Sequence, residues 1–349
     1  MLKNPLTPMN SETLSMAEGH RTSSNGSSRK NFIVVCVLVV LALVLPLQLP
    51  NFLVFQLTMA IIYAISVLGL NLLTGVSGQF SLGHGAFYAI GAYSAAILME
   101  HMGLEYGWTL PAAGAICFLI GFLIGFPAVR LGGIYLALAT FAFAVATPQI
   151  LKLSLIEEWT GGVTGISLSK PDAPAGLPLN SDQWLYVLTL FVALVAYIGA
   201  RNLLRHRTGR AMLGVRDNAT AARAMGVNTT LYKALAFGIS AMYTGVAGAL
   251  GGLVVQYVAP DSFTFALSIA LLVGVVVGGV GWLPGAIVGG LFVMFIPNFA
   301  EELSQGLAGA VYGVILILLM YLLPAGFGGL VTSLKGFLSR GRGHVAGRH

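Results

Sequence analysis

The chain has 349 residues, 57% of them hydrophobic and only 9% charged, with a mean hydropathy of +0.87. Soluble domains average about 25% charged residues, so this composition excludes a soluble enzyme and defines an integral membrane protein. The net charge of +6 sits in a few segments that border apolar runs without interleaved aromatics, which excludes a nucleic-acid surface.

Residues 1–31 are polar, rich in Ser, Thr and Asn, and end on Arg29 and Lys30, the composition of a disordered cytoplasmic tail. The tail is long for a signal-peptide n-region and no small-residue cleavage site follows Leu49, so the first apolar run reads as a retained helix. A span needs about 20 apolar residues to cross the hydrocarbon layer. Ten segments qualify, near 32–49, 52–73, 80–99, 108–127, 133–151, 184–200, 234–257, 265–280, 283–299 and 308–323. The Gly- and Pro-rich turns at 74–86 and 278–286 mark re-entrant or broken helices. The expected fold is an all-α membrane protein of about ten transmembrane helices, both termini cytoplasmic. Its membrane domain covers 32–326 and is followed by a basic tail at 327–349. Cys36 and Cys117 fall inside apolar runs and read as packing residues.

With the amino terminus inside, 16 of the 18 Lys and Arg residues fall on the cytoplasmic side, and only Lys152 and Lys170 fall outside. Most acids, among them Glu157, Glu158, Asp172, Asp182 and Asp261, map to the outer side. An error in the span count would scramble this partition. The longest outer segment, 152–183, holds TGGVTGISL and a Pro-rich run; it is either a partner-facing loop or a surface connection.

The longest basic segment between spans is 201–233, with seven basic residues against the single acid Asp217. Its second half reads as a short helix. Asn218 is placed to cap it, Ala219 to Met225 is rich in Ala, and Gly226 stands where a left-handed cap residue belongs. Charge alone needs no helix, so the segment either only sets topology or also docks a partner.

No Asp, Glu, Lys or Arg lies inside any predicted span, which argues against coupling to an ion gradient. There is no G-x-x-x-x-G-K-[ST] loop, no HExxH, no CxxC and no paired-carboxylate arrangement within the spans, so no catalytic or metal-binding residues are assigned and no cofactor is expected. Uphill movement of a solute would draw on a partner's energy. Glycine makes up 45 of the 349 residues, well above the usual ~7%. Its recurrence every four residues at Gly121/Gly125, Gly274/Gly278 and Gly281/Gly285/Gly289 reads as close helix packing. The stretch from Asn71 to Tyr93 gathers Asn71, Thr74, Ser77, Gln79, Ser81 and His84 around glycines. These polar groups must find partners or line water. Asn71, Gln79, Ser81 and His84 are the candidate solute pathway, with inter-helix hydrogen bonding the alternative for His84.

Five blocks together resemble the permease subunits of branched-chain amino acid ABC transporters, in particular the longer M-type subunit. They are NLLTGVSGQFSLGHGAFYAIGAY (71–93), VRLGGIYLALATFAFA (129–144), TGGVTGI (160–166), GRAMLGVRDNATAARAMGVN (209–228) and GGVGWLPGAIVGG (278–290). The resemblance implies the ABC-importer permease fold in a bacterial inner membrane. It also implies pairing with an H-type permease, two cytoplasmic ATPase subunits that bind the ATP, and an extracytoplasmic binding protein. The fourth block is similar to the coupling loop that fits a groove on the ATPase, which assigns Gly209, Arg210, Arg216, Asp217, Asn218, Ala221, Ala222, Arg223 and Gly226 to coupling. The related motif usually carries a Glu just before its A-A-x-x-x-G core, where this chain has Ala219 and Thr220. Leu, Ile and Val are the solutes implied. Urea and short-amide ABC permeases share much of the pattern, and a channel working without an ATPase is the alternative of another class.

Overall fold

The computed structural model describes residues 42–128, 133–174, 178–303 and 306–331. Both predicted tails (apart from 327–331), Arg130 and most of the predicted span 32–49 lie outside the described residues. The chain divides at Asn51 into two units. The described part of the first holds a short 3-10 turn at Leu45–Leu47, and the second holds the helical bundle.

The bundle comprises α1 (Asn51–Asn71, prolonged by a widened π turn at Leu72–Val76), α2 (His84–Met102), α3 (Tyr106–Ala128), α4 (Ile134–Leu151) and the single turn α5 (Glu157–Thr160). It continues with α6 (Ser181–Arg205), α7 (Arg207–Asp217), α8 (Ala219–Ala224), α9 (Thr229–Val255), α10 (Phe265–Gly278), α11 (Gly285–Leu303) and α12 (Ala308–Leu322). Among the described residues, 8 helices are long and apolar enough to cross a membrane. With α2, nine of the ten predicted spans contain a described helix, and most of the tenth, 32–49, lies outside the described residues. One boundary is corrected. The predicted span 80–99 begins only at His84, because residues 78–83 are not helical.

α9 is the most enclosed helix, and α2 and α3 pack along it on small residues. A side chain at Gly121 would overlap Ala241, one at Gly245 would overlap Cys117, and one at Gly91 would overlap the Gly245 carbonyl. α10 and α11 meet in the same way, with Gly278 against the Gly285 carbonyl and Gly289 against the Gly274 carbonyl. Backbones this close gain dispersion contacts that larger residues would forbid. Gly281 departs from the packing expected of it. It sits in the turn between α10 and α11 with φ of +81°, and conformation is what requires glycine there.

Contacts between loops fall into two groups, as an alternating set of spans requires. At one end β1 (Ile166–Ser167) pairs antiparallel with β2 (Tyr257–Val258), Ile166 opposite Val258. The two lysines that the charge count leaves on this side both have acid partners on the same side. Lys152 Nζ is 2.5 Å from Asp261, and Lys170 pairs with Asp182. The TGGVTG stretch turns sharply here. Gly161, Gly162 and Gly165 have φ of +69°, +54° and +73°, and the Thr160 hydroxyl donates to the Leu151 carbonyl at 2.9 Å. The segment 152–183 is thereby clipped onto the end of α9. The basic segment 201–233 lies at the opposite end, with the break at 78–83 and the turn between α10 and α11.

Candidate functional site

The site forms where α1 ends. A π turn at Leu72–Val76 widens its last turn, and the chain then runs non-helically to His84. Such a break leaves carbonyls at the end of one helix and N–H groups at the start of the next without helical partners. In a bundle interior these groups must be satisfied by protein. The polar residues read from the sequence do this work, together with three hydroxyls from other helices. The Leu82 N–H donates to Thr140 Oγ1 (2.9 Å), the Gly83 N–H to Ser81 Oγ (3.2 Å) and the Gly85 N–H to Ser268 Oγ (2.8 Å).

His84 is fully buried and both ring nitrogens are engaged, Nδ1 with Ser81 Oγ at 3.1 Å and Nε2 with Ser240 Oγ at 2.6 Å. The Ser240 hydroxyl gives its one proton to the Gly69 carbonyl at 2.7 Å. Nε2–H must therefore donate to Ser240, and in the neutral ring Nδ1 accepts from the Ser81 hydroxyl. The chain Ser81–His84–Ser240–Gly69 ties α2 to α9 and α1.

Asn71 clamps the turn between α10 and α11. Its Oδ1 accepts from the Gly281 N–H at 2.7 Å, and its Nδ2 donates to the Trp282 carbonyl at 3.1 Å and, at 3.4 Å, toward the Gly279 carbonyl. A side chain at Gly75 would overlap the Gly281 backbone. Gln79 Nε2 donates to Ser77 Oγ (2.7 Å) and to the Lys233 carbonyl (3.2 Å) in the first turn of α9. Gln79 Oε1 and Thr74 Oγ1 are buried without a hydrogen-bond partner among the described residues.

The basic segment holds more helix than its sequence suggests. α6 runs on to Arg205, and α7 folds back on it where Gly209 lies against Leu203 and Leu204, too close for any side chain. Arg210 donates to the Arg205 carbonyl at 2.9 Å. α7 was not predicted; its buried Gly209, Met212 and Val215 recur every third residue, and that is the sequence signal for it. α8 has the predicted cap, with Asn218 Oδ1 accepting from the N–H groups of Thr220 (3.1 Å) and Ala221 (3.0 Å). It ends in a left-handed Gly226, φ +81°. The Gly226 N–H donates to Arg223 and the Val227 N–H to Ala222, a Schellman stop. Ala221, Arg223, Met225 and Gly226 are exposed and Ala222 is half-buried. Arg216, though partly exposed, also reaches the bundle. Its Nη1 donates to the Gly75 carbonyl at 2.6 Å, and Asp217 holds its other edge at 2.8 Å.

A bundle of apolar helices with a broken helix tied to an ordered basic segment defines a multi-pass membrane transport subunit. Residues 52–322 match the family described as branched-chain amino acid transport system permease components, and the chain belongs to that family. It is 33% identical to the high-affinity branched-chain amino acid transport system permease protein LivM of Salmonella typhimurium, over 86% of this chain and 76% of that one. It is 27% identical to the LivH permease protein of Escherichia coli K12, over 77% of this chain and 92% of that one. A likeness to the autoinducer 2 import system permease protein LsrC of Escherichia coli, 28% identical, covers 53% of this chain and 54% of the relative. No solved structure matches the chain.

Proposed function

We propose that this chain is the M-type permease subunit of a binding-protein-dependent importer for Leu, Ile and Val in a bacterial inner membrane. It pairs with an H-type permease, takes solute from an extracytoplasmic binding protein, and is driven by two cytoplasmic ATPase subunits that bind the ATP. The similarity to both LivM and LivH supports the solute class and the pairing. The observation that carries the coupling is α8, a six-residue helix capped at both ends that presents Ala221, Arg223 and Met225 to solvent, Met225 being 84% exposed. A segment needed only for its charge has no use for such a helix.

In this reading closure of the ATPase pair moves α8, and the bundle tilts between outward- and inward-open states. The polar break is where the tilting spans meet. Asn71, Ser81 and His84 hold the break together, while Gln79, with its free Oε1, is the residue we place toward the solute. A photoreactive side chain at position 225, in the complex purified through a tag on this chain, tests the docking. Crosslinking to an ATPase subunit is expected; crosslinking to the binding protein, or to nothing, refutes it.

A further inference from the structure

The basic segment has two parts of opposite character. α8 faces solvent throughout its exposed ridge, whereas α7 is seated in the bundle by buried Met212 and Val215. Arg216 stands at the junction between them, and although its side chain is 40% exposed its guanidinium reaches toward the bundle. It crosses to the end of α1 and donates Nη1 to the carbonyl of Gly75, at 2.6 Å, in the π turn. That carbonyl is among the last of a helix, where no intrahelical donor is available and the helix dipole favours a cation. The fit is built from both sides. Gly78, with φ of +69°, leaves the space the arginine stem occupies, since a side chain there would come within 2.7 Å of Arg216 Cγ. Asp217 fixes the guanidinium through Nε at 2.9 Å.

Gly75 is also the point where α1 presses against Gly281, in the turn that Asn71 clamps. One guanidinium therefore joins the outward-facing segment to a place where the ends of α1, α10 and α11 meet. We infer that Arg216 is a positioning residue that carries motion of the ATPase-facing segment into the membrane bundle, and is not itself a contact to the ATPase. Resting on the importer reading above, this assigns a distinct step to one residue: α8 binds, and Arg216 transmits. A lysine would keep the charge but not the planar fork that spans Gly75 and Asp217 at once.

The test uses the full complex, purified through a tag on this chain and reconstituted in proteoliposomes, with ATP hydrolysis and uptake of labelled leucine measured together. For Arg216→Ala the ATPase subunits are expected to co-purify in wild-type amounts and to hydrolyse ATP. Leucine moved per ATP is expected to fall roughly tenfold, the fold-change equivalent of one hydrogen bond to a charged group. Arg216→Lys should fall between the two. Gly78→Ala, which disturbs the arginine stem from outside the basic segment, should uncouple in the same way, and it decides the matter if Arg216→Ala yields no intact complex. A wild-type ratio in Arg216→Ala or in Gly78→Ala overturns the inference, and so does loss of the ATPases from an intact Arg216→Ala permease. Absence of ATP-driven leucine uptake by the wild-type complex overturns the importer reading itself, and the inference with it.

Discussion

Replacing Asn71 with Leu keeps the branched shape of the side chain in a larger form and leaves its backbone partners without hydrogen bonds. Two of its three contacts are of full strength, to the Gly281 N–H at 2.7 Å and the Trp282 carbonyl at 3.1 Å; the third, to Gly279 at 3.4 Å, is too long to count for much. Leaving a buried donor or acceptor unsatisfied costs about 1–3 kcal/mol each. Hydrogen bonds between membrane helices measure lower, near 0.6 kcal/mol on average, because the unfolded reference state also finds partners. Asn71 holds backbone groups of a tight turn, so the expected loss for Asn71→Leu is roughly 2–4 kcal/mol. Asn71→Asp keeps an acceptor for Gly281 but sets a carboxylate against two carbonyl oxygens, and should lose at least as much. The assay is an SDS titration of the purified chain followed by tryptophan fluorescence. A loss for Asn71→Leu below about 0.5 kcal/mol, the range of a neutral surface change, would refute the clamp.

His84→Ala should lower stability by roughly 2–4 kcal/mol, from two lost hydrogen bonds and a cavity, with His84→Gln intermediate. Melting in detergent measures this, and a fully stable variant with abolished uptake would instead make His84 a contact to the solute. A Cβ at Gly226 meets no atom within 4 Å, so the main cost of Gly226→Val is the left-handed backbone, about 1–2 kcal/mol, and Gly226→Asn should retain more ATPase association than Val on co-purification. Gly91→Val collides with the Gly245 carbonyl and should abolish the monodisperse bundle on size exclusion. Gly214→Ala, inside α7 with nothing within 4 Å, should instead stabilise by up to about 1 kcal/mol in the same SDS titration.

The spans were legible because an apolar run long enough to cross the bilayer has few other uses, and the cap of α8 because Asn218 and Gly226 each answer a specific backbone need. The polar cluster from Asn71 to His84 was legible as a group that must be satisfied, but its partners were not. Thr140, Ser240 and Ser268 are lone hydroxyls in apolar spans, and nothing local marks them as facing one broken helix. Phe80 and Leu82 made the break itself resemble the start of a span. α7 was hidden by its arginines, since its apolar face is a single row of Gly209, Met212 and Val215. The Arg216–Gly75 bond joins residues 141 positions apart, and sequence reasoning could only group Arg216 with its neighbours as a docking residue.

In the proposed importer, energy reaches this chain from ATPase partners, and uptake measures that directly. Labelled leucine and labelled urea would be offered to proteoliposomes holding the chain alone, and then the chain with its H-type partner, ATPases and binding protein. Leucine uptake that needs ATP and every component is the expected result. Urea uptake by the full set would move the solute assignment to the short-amide permeases, and equilibrating flux through the chain alone would contradict the central claim.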